Sequence, residues 1–208
     1  MTKKLNLQVL GEVPYAEALA LQKELHLKVQ SGEISDQLLI LIHGPVITVG
    51  TSTEPEHLLR NEREVYSSGR GGSVTYHGPE QIICYPILDL KRHKQDVAWY
   101  MRTLEEVVIR SLSTFGVTAR QIPEKTGVWT DENSKIAFIG IKISRWCTYH
   151  GFSINLLPCA DKFKDINPCG LGEIVVTSIA EQVTSTHCPT RELLTREVDK
   201  QFREIFEY

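Results

Sequence analysis

Leu5, Leu7 and Val9 lie on one face of a period-two pattern near the start of the chain, which predicts a first strand. From Tyr15 to Ser31 the period changes. Ala18, Leu21, Leu25 and Val29 keep helical spacing, and Gly32 supplies a residue that can end the helix in left-handed backbone. The continuous apolar run 38–42 predicts a buried strand, Gly44-Pro45 breaks it, and residues 46–49 read as its hairpin partner. Residues 51–64 are polar and predict a loop with a short helix. Two β-rich runs, 74–76 and 82–88, flank Gly78-Pro79. Asp96 is placed to cap a helix over 97–115, with Met101, Leu104, Val108 and Leu112 inward and Gly116 as its stop. Residues 128–130 and 135–144 predict a hairpin across the turn 131–133, residues 151–156 a further strand, and residues 157–172 a loop. A last helix over 190–206 places Leu194, Val198, Phe202 and Ile205 on one face.

Strands joined mainly by short turns, with few long helices between them, predict an α+β domain: a mixed β-sheet flanked by helices. With 208 residues and neither a linker nor a repeat, residues 1–208 read as a single domain. Apolar residues make up 41% and charged residues 24%, and no apolar run is long enough for a membrane span, so a soluble globular protein is expected. The first ten residues alternate instead of forming a secretory signal core, which predicts a cytoplasmic location. The net charge is −3 and Lys and Arg are scattered, which argues against nucleic acid as a partner.

The five cysteines, Cys84, Cys147, Cys159, Cys169 and Cys188, are odd in number and irregularly spaced, so reduced thiols are expected. Cys169 stands between Pro168 and Gly170, a setting that projects a thiol at a turn and suits a nucleophile. A free thiol has a pKa of about 8.5 and only the thiolate attacks, so a nearby cation is required, and Lys135 beside the polar turn is the candidate. The plainer reading is a small buried cysteine and a solvated lysine. Cys159 also follows a proline but precedes Ala160, and is expected to be dispensable. Zinc held by Cys147, His150, Cys159 and Cys169 is a rival reading, although the spacing lacks a second short ligand pair.

Three segments carry most of the chemistry. The first is Arg70-Gly71-Gly72-Ser73-Val74-Thr75-Tyr76-His77-Gly78-Pro79-Glu80-Gln81, where paired glycines let backbone approach a ligand and Arg70 and His77 offer donors at a pocket rim. The second is Ser134-Lys135-Ile136-Ala137-Phe138-Ile139-Gly140, followed by Arg145 through Asn155. The third is Asn167-Pro168-Cys169-Gly170-Leu171 with Val176-Thr177-Ser178 behind it. In this order and at these separations the segments resemble octanoyltransferases of lipoate biosynthesis. The resemblance runs from Val13-Pro14-Tyr15 through residues 43–50 to about Ser178.

That resemblance implies the biotin/lipoate protein ligase catalytic fold and a dyad of Cys169 and Lys135. It implies an acyl pocket lined by Arg70, Gly71, Gly72, Ser73, Val74, Thr75, Tyr76 and His77, by Phe138, Ile139 and Gly140, and by Gly151, Phe152 and Ser153. His150 is placed to support the site from beneath. The implied reaction moves an octanoyl group from octanoyl-acyl carrier protein to Cys169. From there it passes to a lysine of lipoyl domains in 2-oxoacid dehydrogenase E2 subunits and the glycine cleavage H protein. No cofactor or metal is implied, and a monomer is expected. The chain departs from the family pattern at Glu80, where glycine is usual, and at Glu173-Ile174-Val175. A positive φ at Glu80 would cost about 1 kcal/mol or more. An ATP-dependent lipoate or biotin ligase, and a binding module without efficient transfer, are the alternatives on the same fold.

Overall fold

The computed structural model describes residues 3–59, 64–167, 174–184 and 187–208. In chain order the elements are β1 (Leu5–Glu12), α1 (Tyr15–Ser31), β2 (Asp36–Ile42), β3 (Val46–Val49), β4 (Val65–Ser67), β5 (Thr75–His77), β6 (Gln81–Ile87) and α2 (Val97–Thr114). These are followed by β7 (Arg120–Ile122), β8 (Lys125–Trp129), β9 (Ser134–Ser144), β10 (Cys147–Asn155), β11 (Val175–Val176), α3 (Ile179–Gln182) and α4 (Arg191–Phe206). Short 3₁₀ turns sit at Pro55–His57, Leu90–Arg92 and Ala160–Phe163. The helix ends follow local chemistry. Gly32 closes α1 at φ 79, the Asp96 carboxylate accepts from the Trp99 N–H to open α2, and Thr190 does the same for Leu193 at α4.

The main sheet runs β1-β2-β6-β10-β9-β8-β7, with β11 added to β9. β1 pairs parallel with β2 and β11 parallel with β9, while the other ladders are antiparallel, so the sheet is mixed. The apolar run of β2 is continuous because both its faces are covered. Leu38 and Ile40 meet the core under α2 and α4, and Leu39 and Leu41 meet Ala18, Leu25 and Val29 of α1.

β3 is a strand but not the hairpin partner of β2. Both edges of β2 are occupied, by β1 and β6, so the chain leaves the sheet at Gly44-Pro45 and β3 pairs with β4 and β5 in a separate small sheet. The first segment therefore joins two sheets, since β5 belongs to the small one and β6 to the large one. β10 begins at Cys147, earlier than the pattern indicates, and forms a hairpin with β9. Arg145 and Trp146 make the turn at φ 50 and 65, the positive values that a two-residue type I′ turn requires.

Candidate active site

The glycine segment of residues 69–75 packs over β9 and β10 and encloses a cavity of about 590 Å³, within the ~300–1,000 Å³ usual for ligand clefts. The Gly71 N–H donates to the Ile141 carbonyl at 2.9 Å, and the Arg70 side chain lies across Gly140, where a Cβ would come within 2.9 Å of Arg70 Cδ. Arg70 is buried in the wall, not at the rim. Its guanidinium donates to the Thr48 carbonyl and hydroxyl at 2.9 and 3.0 Å and to the Gly71 carbonyl at 3.1 Å, which fastens the glycine segment to β3. His77 is also a buried wall residue, with Nδ1 at 3.2 Å from Gln81 Oε1.

Fifteen residues were named from sequence as pocket or dyad residues besides Cys169, and all of them except Tyr76 line this cavity. Tyr76 fails for a geometric reason. Successive side chains of a strand point to opposite faces, so Thr75 and His77 of β5 face the cavity while Tyr76 turns away, packing edge-on against Phe163 and donating its hydroxyl to Glu80. Two lining hydroxyls, Thr75 Oγ1 and Ser153 Oγ, are buried with no hydrogen-bond partner among the described residues. Each can donate to a ligand carbonyl or amide.

Lys135 is nearly sealed from solvent at 2% exposure and lines the same cavity. Its Nζ sits 4.9 Å from the Trp129 ring centroid and 4.7 Å from that of Phe138, contacts that offset part of the cost of burying an ammonium. Space for its tip comes from Gly127, at φ 112, because a Cβ there would lie 2.4 Å from Lys135 Cε and 3.0 Å from Nζ. Lys135 also marks a change of partner along β9. The ladder with β10 ends at Ala137, and β11 takes over at Ser134 and Lys135.

Cys169 lies outside the described residues; the chain before it is tied to His57 and the chain after it to Lys135. The Asn167 N–H donates to the His57 carbonyl at 2.8 Å, and the Thr177 N–H donates to the Lys135 carbonyl at 3.0 Å. The other cysteines are held elsewhere. Cys147 packs under α1, while Cys159 packs in the small-sheet core beside Phe138 and Phe163, and burial pushes both thiols up to about 12. Among the described residues, no group of three His, Cys, Asp or Glu side chains is arranged to hold a metal ion. Nor is any helix among them long and apolar enough to cross a membrane.

The model for the lipoyl protein ligase A/B catalytic domain matches residues 14–207. The chain belongs to this family. It is 44% identical over 170 residues to an octanoyltransferase of Geobacter sp. (strain M21), covering 82% of each chain. Against the octanoyltransferase of Solibacter usitatus (strain Ellin6076) it is 41% identical over 209 residues, covering 97% of this chain and 93% of that one. A crystal structure of lipoate-protein ligase A bound with ATP superposes with a TM-score of 0.77, covering 100% of this chain and 86% of the ligase, at 16% identity. That last likeness shows the shared fold.

Of the polar floor of the cavity, the sequence names Arg70, His77 and His150 but gives Tyr15 and Tyr85 no site role. Tyr15, Tyr85 and His150 join Arg70 and His77 there, and Met101 and Ile141 add apolar wall. His150 stands at φ 58 in mid-strand. Its N–H is taken by the Gln22 side chain at 2.8 Å, and its Nε2 lies 3.0 Å from the Ser68 carbonyl. Glu80 does not have a positive φ, so the expected strain is absent. Instead its carbonyl accepts from Leu156 and Leu157, and its carboxylate accepts from Tyr76.

Burial holds His150 down to about 4, and it also lowers His43 and His77. A histidine with a depressed folded pKa contributes stability above its unfolded value of about 6.5 and loses it as pH falls, because only the unfolded chain binds the proton. Between pH 7 and 5 His150 alone is expected to withdraw about 2 kcal/mol. Denaturant titrations at the two pH values test this. Asparagine tolerates the left-handed backbone, so His150→Asn should flatten the slope; an identical slope would remove His150 as its source.

Proposed function

We propose that this chain transfers an octanoyl group from octanoyl-acyl carrier protein to a lysine of lipoyl domains, through a thioester on Cys169 assisted by Lys135. The observation that carries the reading is Lys135, buried in the wall of the cavity, with its carbonyl accepting from the Thr177 N–H beyond Cys169 in the chain. Family membership supplies the acyl transfer. The dyad, the donor and the acceptors are the proposal, as are the cytoplasmic setting and the single domain spanning 1–208.

The steps balance without an outside reagent. The Cys169 thiolate attacks the thioester carbonyl, a new C–S bond forms, and the phosphopantetheine thiolate leaves with a proton from the Lys135 ammonium. The neutral Lys135 amine then accepts the proton lost by the attacking amine of the lipoyl domain. The amide bond forms, the Cys169–acyl bond breaks, and the ammonium–thiolate pair is restored. The acyl group stays activated as a thioester throughout, so ATP has no role. Thr75 and Ser153 are the donors we assign to the carbonyl or amide oxygens of the acyl donor, because their hydroxyls line the cavity without a partner among the described residues. The Gly71 N–H is not such a donor, being committed to Ile141.

Intact mass spectrometry with peptide mapping, after incubation with octanoyl-acyl carrier protein and no ATP, tests the reading. The expected result is an octanoyl adduct on Cys169 that disappears when a lipoyl domain is added. Acylation that requires ATP and free octanoate would instead make the chain a ligase.

A further inference from the structure

We propose that Glu105 is a positioning residue for Lys135, acting through the backbone of Gly127; the inference rests on the role proposed above for Lys135. Glu105 lies on α2 at 1% exposure among Leu104, Val107 and Val108, where a carboxylate is costly unless it is paired. It is retained there by two bonds. Oε2 accepts from Arg102 Nη1 at 2.6 Å, and Oε1 accepts from the Gly127 N–H at 2.9 Å. The second bond crosses from helix to sheet and fixes one point on β8.

That point decides where the lysine can sit. A Cβ on Gly127 would stand 2.4 Å from Lys135 Cε and 2.8 Å from the Ala137 carbonyl, so the Gly127 backbone forms one side of the gap that admits the lysine tip. The register between β8 and β9 is irregular at this level. Val128 pairs with Ala137 and Trp129 with Lys135, a one-residue shift that breaks the regular β8–β9 ladder just beyond Gly127. The Glu105 bond adds a restraint beside that irregularity. The aromatic walls of the gap come from the same two strands, Trp129 on β8 and Phe138 on β9, so a displaced Gly127 moves one wall against the other. The charged side chains packed at this end are Lys135, Glu105 with Arg102, and Lys125, whose Nζ lies 5.4 Å from the Trp129 ring on the strand opposite Lys135. The carboxylate therefore holds the gap open, and the gap aims the cation.

Four variants and two readouts test this: the rate of octanoyl adduct formation on Cys169, and the pH profile of iodoacetamide alkylation of that thiol. Glu105→Ala should slow adduct formation by about 100-fold, the penalty typical of a misplacement near 1 Å, and shift the alkylation profile toward that of a free thiol. Glu105→Gln keeps an acceptor for the Gly127 N–H and should recover most of the rate. Gly127→Ala fills the gap from the other side and should reproduce the Glu105→Ala signature even where that variant folds poorly. In a Lys135→Ala background, Glu105→Ala should add no further change to the alkylation profile. The inference is overturned if folded Glu105→Ala and Gly127→Ala keep the wild-type alkylation profile, or if the effect of Glu105→Ala persists undiminished without Lys135. Failure of the wild-type protein to form any Cys169 adduct would instead overturn the parent reading, so the two failures are separable.

Discussion

Cys169→Ala is expected to abolish the octanoyl adduct and to lower transfer by about 10³-fold or more, the loss typical of removing a covalent nucleophile. Cys159→Ala is expected to leave transfer near wild type. The contrast is informative because both residues follow a proline, and sequence alone separates them only by what comes next. Structure explains the expectation for Cys159 by its surroundings. Cys159 is closed into the small-sheet core near Phe138 and Phe163, and burial pushes its thiol up to about 12, so almost none is thiolate at neutral pH. Cys147 is held in the same way beneath α1, and the thiol of Cys84 is raised by complete burial. Cys188 is half-buried with its thiol toward the Pro189 carbonyl. Truncating Cys159 costs packing, on the order of 1 kcal/mol of stability, and no chemistry. Steady-state transfer assays with peptide-mapped mass spectra decide the matter. An equal loss in both variants, or an adduct persisting in Cys169→Ala, would sink the assignment.

Much of this fold is legible because its signals are local. The period of 3.6 and a terminal glycine give α1 its limits, Asp96 announces α2, and the apolar run of β2 already declares a strand covered on both faces. What the pattern could not give was partnership. Nothing in residues 46–49 says that the neighbouring strand has no free edge, and the answer depends on β1 and β6, which lie far from β3 in sequence. The β9–β10 hairpin was hidden for another reason, since its turn uses Arg145 and Trp146 where Gly or Asn is the usual mark of positive φ. The site shows the same division. A contiguous motif named the cavity segments, but strand alternation removed Tyr76 from it. The polar residues on inward helix faces, Gln22, His26 and Glu105, were missed because a lone polar residue in an apolar stripe has no signature until its partner is known. Gln22 serves His150, His26 lies against the Cys147 carbonyl, and Glu105 serves Gly127. All three contacts tie a helix to backbone at a level where the sheet is irregular or turns.

Lys135→Ala is expected to raise the apparent pKa of the Cys169 thiol toward the free value of about 8.5, and to lower transfer at pH 7 by roughly 10²–10⁴-fold. The sign follows from what the side chain does. A buried ammonium favours an adjacent thiolate over the neutral thiol, so its removal leaves the thiol protonated at neutral pH, and alkylation should then need more alkaline conditions. The two half-reactions should respond differently to that change. Adduct formation needs only the thiolate, so it should recover as pH approaches 9. Transfer to the lipoyl lysine also needs a proton acceptor in the second step, and should lag behind. Lys135→Arg is not expected to rescue either step, because the guanidinium is broader than an ammonium and the gap beside Gly127 already leaves only 2.4 Å between Lys135 Cε and the place a Cβ would occupy. Stopped-flow alkylation and single-turnover transfer, each followed from pH 6 to pH 9.5, separate these effects. An unchanged alkylation profile in Lys135→Ala would exclude the lysine as activator of the thiol. Slowed transfer alongside that unchanged profile would confine Lys135 to the second step, and the restored ammonium–thiolate pair proposed above would have to be abandoned.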